Sequence, residues 1–168
     1  MASKVQFVVR PGGRLGGALR VPGDKSISHR AIMLGSLAEG VTRVSGFLEG
    51  EDSLATLRAF RAMGVEIDGP HDGMVIIRGV GMHGLKAPTA PLDLGNSGTS
   101  MRLMSGLMAG QGLDLTLVGD RSLSGRPMKR VTDPLAQMGA DIASAQGGTA
   151  PLHIRPVQGL SGISYTMP

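Results

Sequence analysis

Apolar positions along the chain switch between two periods. At Ile27, Ala31, Leu34 and Ala38 they recur at i, i+4, i+7 and i+11, which predicts a helix starting near Ser26 with one apolar stripe for a core. Met101, Met104 and Met108, with Leu107 beside them, predict a second helix starting near Ser97 and packed through its methionines. Val41–Phe47 and Leu113–Val118, dense in β-branched and aliphatic residues, predict strands. Further helices are expected over about Asp52–Met63 and Pro127–Met138, with Pro134 placed to break or restart the latter. Two strands should follow each, around the polar turns Pro70-His71-Asp72-Gly73 and Gln146-Gly147-Gly148-Thr149.

These elements form a repeat of roughly 75 residues. Met63-Gly64-Val65-Glu66-Ile67 is echoed by Met138-Gly139-Ala140-Asp141-Ile142, and Val75-Ile76-Ile77-Arg78 by Leu152-His153-Ile154-Arg155. Ser26 and its helix are echoed by Ser97 and its own. Each copy reads as strand, helix, strand, helix, strand, strand, so the expected fold is α/β (α+β) with mixed sheet pairing rather than a bundle. Gly159–Pro168 resembles Gly16–Pro22, Met167-Pro168 matching Val21-Pro22, which predicts that a third copy begins there and that the chain is an N-terminal part of a longer unit.

Composition narrows the chemistry. The chain is 41% apolar but only 2% aromatic, so aliphatic residues and eleven methionines must fill the core, and bases would find few rings to stack on. The net charge of +4 therefore points to small anions rather than nucleic acid, because the basic residues are scattered singly. With no cysteine, disulfides, thiolate metal sites and a cysteine nucleophile are excluded. The start MASKVQFVV lacks a secretory pattern and no apolar run approaches a bilayer span, so a cytoplasmic protein without membrane association is expected.

Polar groups concentrate at two helix starts. Unpaired N–H groups there favour anions. In Asp24-Lys25-Ser26-Ile27-Ser28-His29-Arg30, Asp24 or Ser26 can cap while Lys25 and Arg30 add positive charge. In Leu94-Gly95-Asn96-Ser97-Gly98-Thr99-Ser100-Met101-Arg102, Gly98 lets a ligand approach the backbone. Either segment alone reads as a capped helix with solvated charges; their recurrence in repeat-related positions points to one shared anionic pocket. Arg126, before a Pro-initiated helix, is a third candidate and reads equally as a surface arginine. No histidine has metal-ligand spacing, His29 reads as a polar-face residue, and no metal or cofactor is expected. Phosphate-loop, dinucleotide and serine-hydrolase patterns are lacking.

Pro22–Arg30, then Leu94–Arg102, then Gly119-Asp120 through Arg126-Pro127-Met128 together resemble the N-terminal part of the 5-enolpyruvylshikimate-3-phosphate synthase family. The resemblance implies βαβαββ units, two complete here and a third begun, three to each of two domains. It implies that residues 1–20 pack with a C-terminal domain, that the first strand Val5–Val9 belongs there, that 21–158 holds two units and that 159–168 starts the third. It further implies transfer of the enolpyruvyl group of phosphoenolpyruvate to the 5-hydroxyl of shikimate 3-phosphate, releasing phosphate, in aromatic amino acid biosynthesis.

Position by position, the resemblance makes Lys25 a catalytic contact to both substrates. Ser26 and Arg30 become ligands of shikimate 3-phosphate, Asn96, Gly98 and Arg126 ligands of phosphoenolpyruvate, and Thr99 and Arg102 supports of their loop. Gly98 leaves room for glyphosate as in sensitive members, while Leu103 stands where one subgroup has proline. The acid–base carboxylates should lie beyond Pro168, so the chain alone is expected to be inactive and to need a complementary C-terminal polypeptide. Two rivals remain. The UDP-aminosugar enolpyruvyl transferases share the fold but lack the Asp24–Arg30 run and commonly use a cysteine; a non-catalytic anion-binding or assembly module is the other.

Overall fold

The computed structural model describes residues 6–166. Two successive units emerge. The first runs α1 (Lys25–Leu37), β1 (Glu39–Val44), α2 (Glu51–Ala62), β2 (Glu66–His71) and β3 (Met74–Val80). The second runs β4 (Leu92–Asp93), α3 (Gly98–Ala109), β5 (Leu115–Val118), α4 (Arg121–Ser124), α5 (Lys129–Gln137), β6 (Asp141–Ala145) and β7 (Thr149–Arg155). Mixed helix and sheet is as the patterning predicts.

One sheet has the order β1-β3-β2, all antiparallel; the other has β4-β5-β7-β6, with β4 parallel to β5 and the rest antiparallel. The sequence echoes fall on equivalent ladders, since Ile67 sits opposite Ile77 in the first sheet and Ile142 opposite Ile154 in the second. Between β2 and β3 the chain reverses through Asp72 (φ 50°) and Gly73 (φ 72°), a left-handed pair that a two-residue hairpin demands. Both units feed one core, in which Phe60, Ile77, Met101, Met104, Leu117 and Ile154 are fully buried. The α3 methionines pack as expected, their flexible thioethers filling gaps that the scarcity of aromatics leaves.

Several expectations are corrected. Ile27 and Leu34 are 67% and 66% exposed, so the periodic stripe on α1 faces outward. The buried face carries Ser28, His29, Ile32, Met33 and Ser36 instead, packed on α2 and β3. Partners meet part of this polar face, since the Ser28 hydroxyl donates to the Asp24 carbonyl at 2.8 Å and accepts from the Leu48 N–H at 2.9 Å, whereas Ser36 Oγ and His29 Nε2 find none among the described residues. The predicted strand Val41–Phe47 ends at Val44, and Leu113–Val118 starts at Leu115. Helix α5 begins at Lys129 rather than Pro127, and the Met128 N–H before it is met by the Gly148 carbonyl at 2.8 Å. It runs through Pro134 without breaking; the missing N–H costs one bond in a nine-residue helix whose C-terminus closes on Pro134 and Leu135 carbonyls.

The first unit also lacks its leading strand. Residues 6–24 have no regular structure and most are exposed, with Phe7, Val9 and Leu15 open to solvent. Among the described residues no strand pairs with this segment. Of the expected strand Val5–Val9, residues 6–9 share this irregular course and Val5 lies outside the described residues, as do Met167 and Pro168 of the third-copy match.

Candidate active site at the helix starts

Asp24 caps α1, its Oδ1 accepting from the Ile27 N–H at 2.7 Å, which decides between the two caps the sequence allowed. The capping carboxylate leaves the following cations outside. Lys25 forms an ion pair with Asp52 on the first turn of α2, and Arg30 Nη1 donates to the Ser26 carbonyl at 3.1 Å. Lys25, Ser26 and Arg30 all lie on the solvent side. Their helix is held by Gly23, where a side-chain carbon would sit 1.8 Å from the Gly46 carbonyl oxygen.

The start of α3 is more heavily braced. Asp93 Oδ1 accepts from the Gly95 N–H at 2.8 Å, and the Ser97 hydroxyl caps α3 by accepting from the Ser100 N–H at 3.2 Å. Asn96 Nδ2 donates to both carboxylate oxygens of Asp120, at 3.0 and 2.8 Å, while Asn96 Oδ1 accepts from Arg126 Nη2 at 2.5 Å. Asp120 also caps α4 through the Leu123 N–H at 2.7 Å. That backbone donor, then the Asn96 amide, hold its carboxyl below the usual carboxylate range. In the sequence Asp120 stands only within the Gly119–Met128 run, where an aspartate after Gly119 and three residues before Leu123 is the available cap signal.

Gly98 is the floor of this arrangement. A side-chain carbon there would lie 3.0 Å from a guanidinium nitrogen of Arg102 and 3.0 Å from one of Arg126. Burial, then the charges of Arg130 and Arg126, push the Arg102 guanidinium below its ordinary range. Two guanidiniums converging on one helix start repel each other, a cost that a bound anion offsets. Thr99 is half-buried on the first turn of α3 behind Gly98.

His29 was misread. It is fully buried, and its Nδ1 lies 2.8 Å from the Thr56 hydroxyl on α2 and 3.4 Å from the Ser100 hydroxyl on α3. Thr56 and Ser100 are 2.6 Å apart, and Ser100 is 2.6 Å from the capping Ser97. Among the described residues no side-chain bond joins Lys25, Ser26 or Arg30 directly to Asn96, Arg102 or Arg126; the two starts connect through this buried chain. No periodicity could have signalled it, because its partners come from three helices.

Burial, then the charge of Lys25, hold the His29 imidazole below the ordinary histidine value, with Asp52 opposing and Arg30 adding. The unfolded chain then takes up this proton at higher pH than the folded one. The unfolded state binds more protons in that window, so stability falls as pH drops below about 6.5. Urea midpoints measured between about pH 7.5 and about pH 5 should decline on acidification, and His29→Asn should flatten the decline.

Among the described residues, no group of three or more His, Asp or Glu side chains could hold a metal ion. One concavity lies away from the helix starts, between Arg58–Ala62 and Pro88–Asp93, and another runs along Ile27, Arg30, Ala31 and Leu34, so that Arg30 borders it. No described helix is long and apolar enough to cross a membrane.

A family model described as EPSP synthase (3-phosphoshikimate 1-carboxyvinyltransferase) matches residues 9–168. The chain belongs to the EPSP synthase family. A 3-phosphoshikimate 1-carboxyvinyltransferase of Alkalilimnicola ehrlichii is 71% identical over 164 residues, 98% of this chain and 37% of its own length. One from Hydrogenovibrio crunogenus is 66% identical over all of this chain and 38% of its own. The solved EPSP synthase from Acinetobacter baumannii superposes with a TM-score of 0.87 at 59% identity, over 90% of this chain and 35% of that one. The chain thus spans a little over a third of the EPSP synthases it matches.

Proposed function

We propose that this chain supplies the substrate-gripping part of an EPSP synthase, transferring the enolpyruvyl group of phosphoenolpyruvate to the 5-hydroxyl of shikimate 3-phosphate in the cytoplasm. The observation that carries this reading is the cationic floor at Gly98, where Arg102 and Arg126 converge on a braced helix start. Lys25, Ser26 and Arg30 take shikimate 3-phosphate at the α1 start. Asn96, Gly98 and Arg126 take phosphoenolpyruvate at the α3 start, with Thr99 and Arg102 behind them. Lys25, steadied by Asp52, reaches toward both.

In the reaction the 5-hydroxyl oxygen bonds to C2 of phosphoenolpyruvate and gives up its proton while C3 gains one. The tetrahedral adduct then loses phosphate from C2 and a proton from C3, leaving the enol ether. This chain's contribution is to orient two anions and offset their charge, an electrostatic and proximity effect. Its carboxylates near the site are engaged in capping or pairing, Asp24 with Ile27, Asp52 with Lys25 and Asp120 with Asn96, so proton transfer falls to groups elsewhere in the enzyme.

The exposed side chains of Phe7, Val9, Leu15 and Leu19 support the reading of residues 1–20 as a segment that packs on another domain, with 21–158 as two units and 159–168 as the start of a third. They also favour a second reading, an assembly module without chemistry of its own. Phosphate release separates the two: it is expected when the chain is mixed with a polypeptide supplying the remaining length of an EPSP synthase, and not from either alone.

A further inference from the structure

We infer that His29, Thr56 and Ser100 are positioning residues for the anion grip, holding the starts of α1 and α3 at one separation through a buried hydrogen-bond chain that ends on the α3 cap. The inference rests on the site reading above and adds to it which residues set the geometry.

All three side chains are fully buried, where an apolar residue of similar size would avoid the cost of desolvation. The chain bridges three helices in short contacts, His29 to Thr56 at 2.8 Å, Thr56 to Ser100 at 2.6 Å and Ser100 to Ser97 at 2.6 Å. It parallels the surface pair Lys25–Asp52 one helical turn away, since His29 follows Lys25 by four residues and Thr56 follows Asp52 by four. Between them, α1 is tied to α2 twice and α2 to the start of α3.

Its direction is set at the α3 cap: Ser97 donates to Ser100 and Ser100 to Thr56, and the Thr56 hydroxyl, which faces His29 Nδ1 at 2.8 Å and the Asp52 carbonyl at 3.4 Å, donates to the nearer nitrogen. The Ser97 oxygen stays free to accept the Ser100 N–H and cap α3. In the opposite direction the Ser97 O–H has no acceptor among the described bonds, and the cap oxygen must take both Ser100 donors. The favoured direction places the imidazole proton on Nε2, a buried atom without a partner. That unmet donor marks the arrangement as held by its surroundings rather than chosen for stability.

Removing one hydroxyl leaves the chain intact in volume but broken in connection. Isotope-labelled chain should be titrated with phosphoenolpyruvate and, separately, shikimate 3-phosphate, reading dissociation constants from the amide shifts of Lys25 and Gly98. Thr56→Val should weaken binding roughly tenfold, as the loss of one buried hydrogen bond implies. Thr56→Ser, which keeps the hydroxyl, should restore most of it, and Ser100→Ala repeats the test should Thr56→Val fail to fold. The imidazole nitrogen shifts of His29 should report the Nε2–H tautomer. Unchanged affinity in folded Thr56→Val and Ser100→Ala, or equal loss in Thr56→Ser and Thr56→Val, overturns the inference. Arg126→Ala in the same titration separates this from the site reading: no loss there, or no binding by the unsubstituted chain, brings down the site and the inference with it.

Discussion

Arg126→Ala should weaken phosphoenolpyruvate binding by roughly 10- to 150-fold, the range that loss of a charge-assisted hydrogen bond spans. Two losses combine. The guanidinium is one of the two that converge on Gly98, and its Nη2 also donates to Asn96, whose amide grips Asp120. Without Arg126, Asn96 Oδ1 loses its donor and the Asp120 carboxylate keeps its place with less opposing charge. Arg126→Lys should recover little, because an ammonium cannot reach Asn96, Ser122 and an anion with one planar group. Thermal unfolding should change little in either variant, since the guanidinium lies at the surface; an affinity within about twofold of the unsubstituted chain would contradict this role.

The second large effect falls on stability. At Gly23 an added side-chain carbon would lie 1.8 Å from the Gly46 carbonyl oxygen and 3.2 Å from the Leu48 nitrogen, both main chain. Backbone cannot swing aside as a side-chain tip does, so Gly23→Ala must displace either the lead into α1 or the 46–48 loop. The same loop donates the Leu48 N–H to Ser28, so the displacement propagates to the buried face of α1. A loss of about 3 kcal/mol or more is expected, lowering the melting temperature by about 6 °C or more. Gly106→Ala is the control. It lies inside α3 with nothing within 4 Å of the added carbon, and should raise stability by about 0.5–1 kcal/mol. Equal melting temperatures for the two variants would mean that the 46–48 loop yields freely.

The glycine contact also explains what could be read from the sequence and what could not. Helix starts were legible because capping residues, cations and small residues cluster over a few positions, as at Asp24–Arg30 and Asn96–Arg102. The repeat was legible because Ile67 with Ile77, and Ile142 with Ile154, must each fill equivalent places in a paired ladder. The core face of α1 was not. Periodicity assumes that apolar residues face inward, whereas Ser28 and His29 are buried against partners at Leu48 and Thr56 that are 20 and 27 residues away. Ile27 and Leu34, meanwhile, lie outside. The bond that meets the Met128 N–H before α5 comes from Gly148, 20 residues on, and Pro127 gave no sign of it. At the candidate site the same limit hid Asp120 and the His29 chain: each works through residues that only the fold brings together.

Phosphate release from phosphoenolpyruvate and shikimate 3-phosphate, with the chain mixed with a polypeptide completing the length of an EPSP synthase, tests the central claim most directly. The account predicts release from the mixture, none from either polypeptide alone, and loss of nearly all of it when the mixture carries Lys25→Ala. Turnover by the chain alone, or a Lys25→Ala mixture as fast as the unsubstituted one, would contradict it.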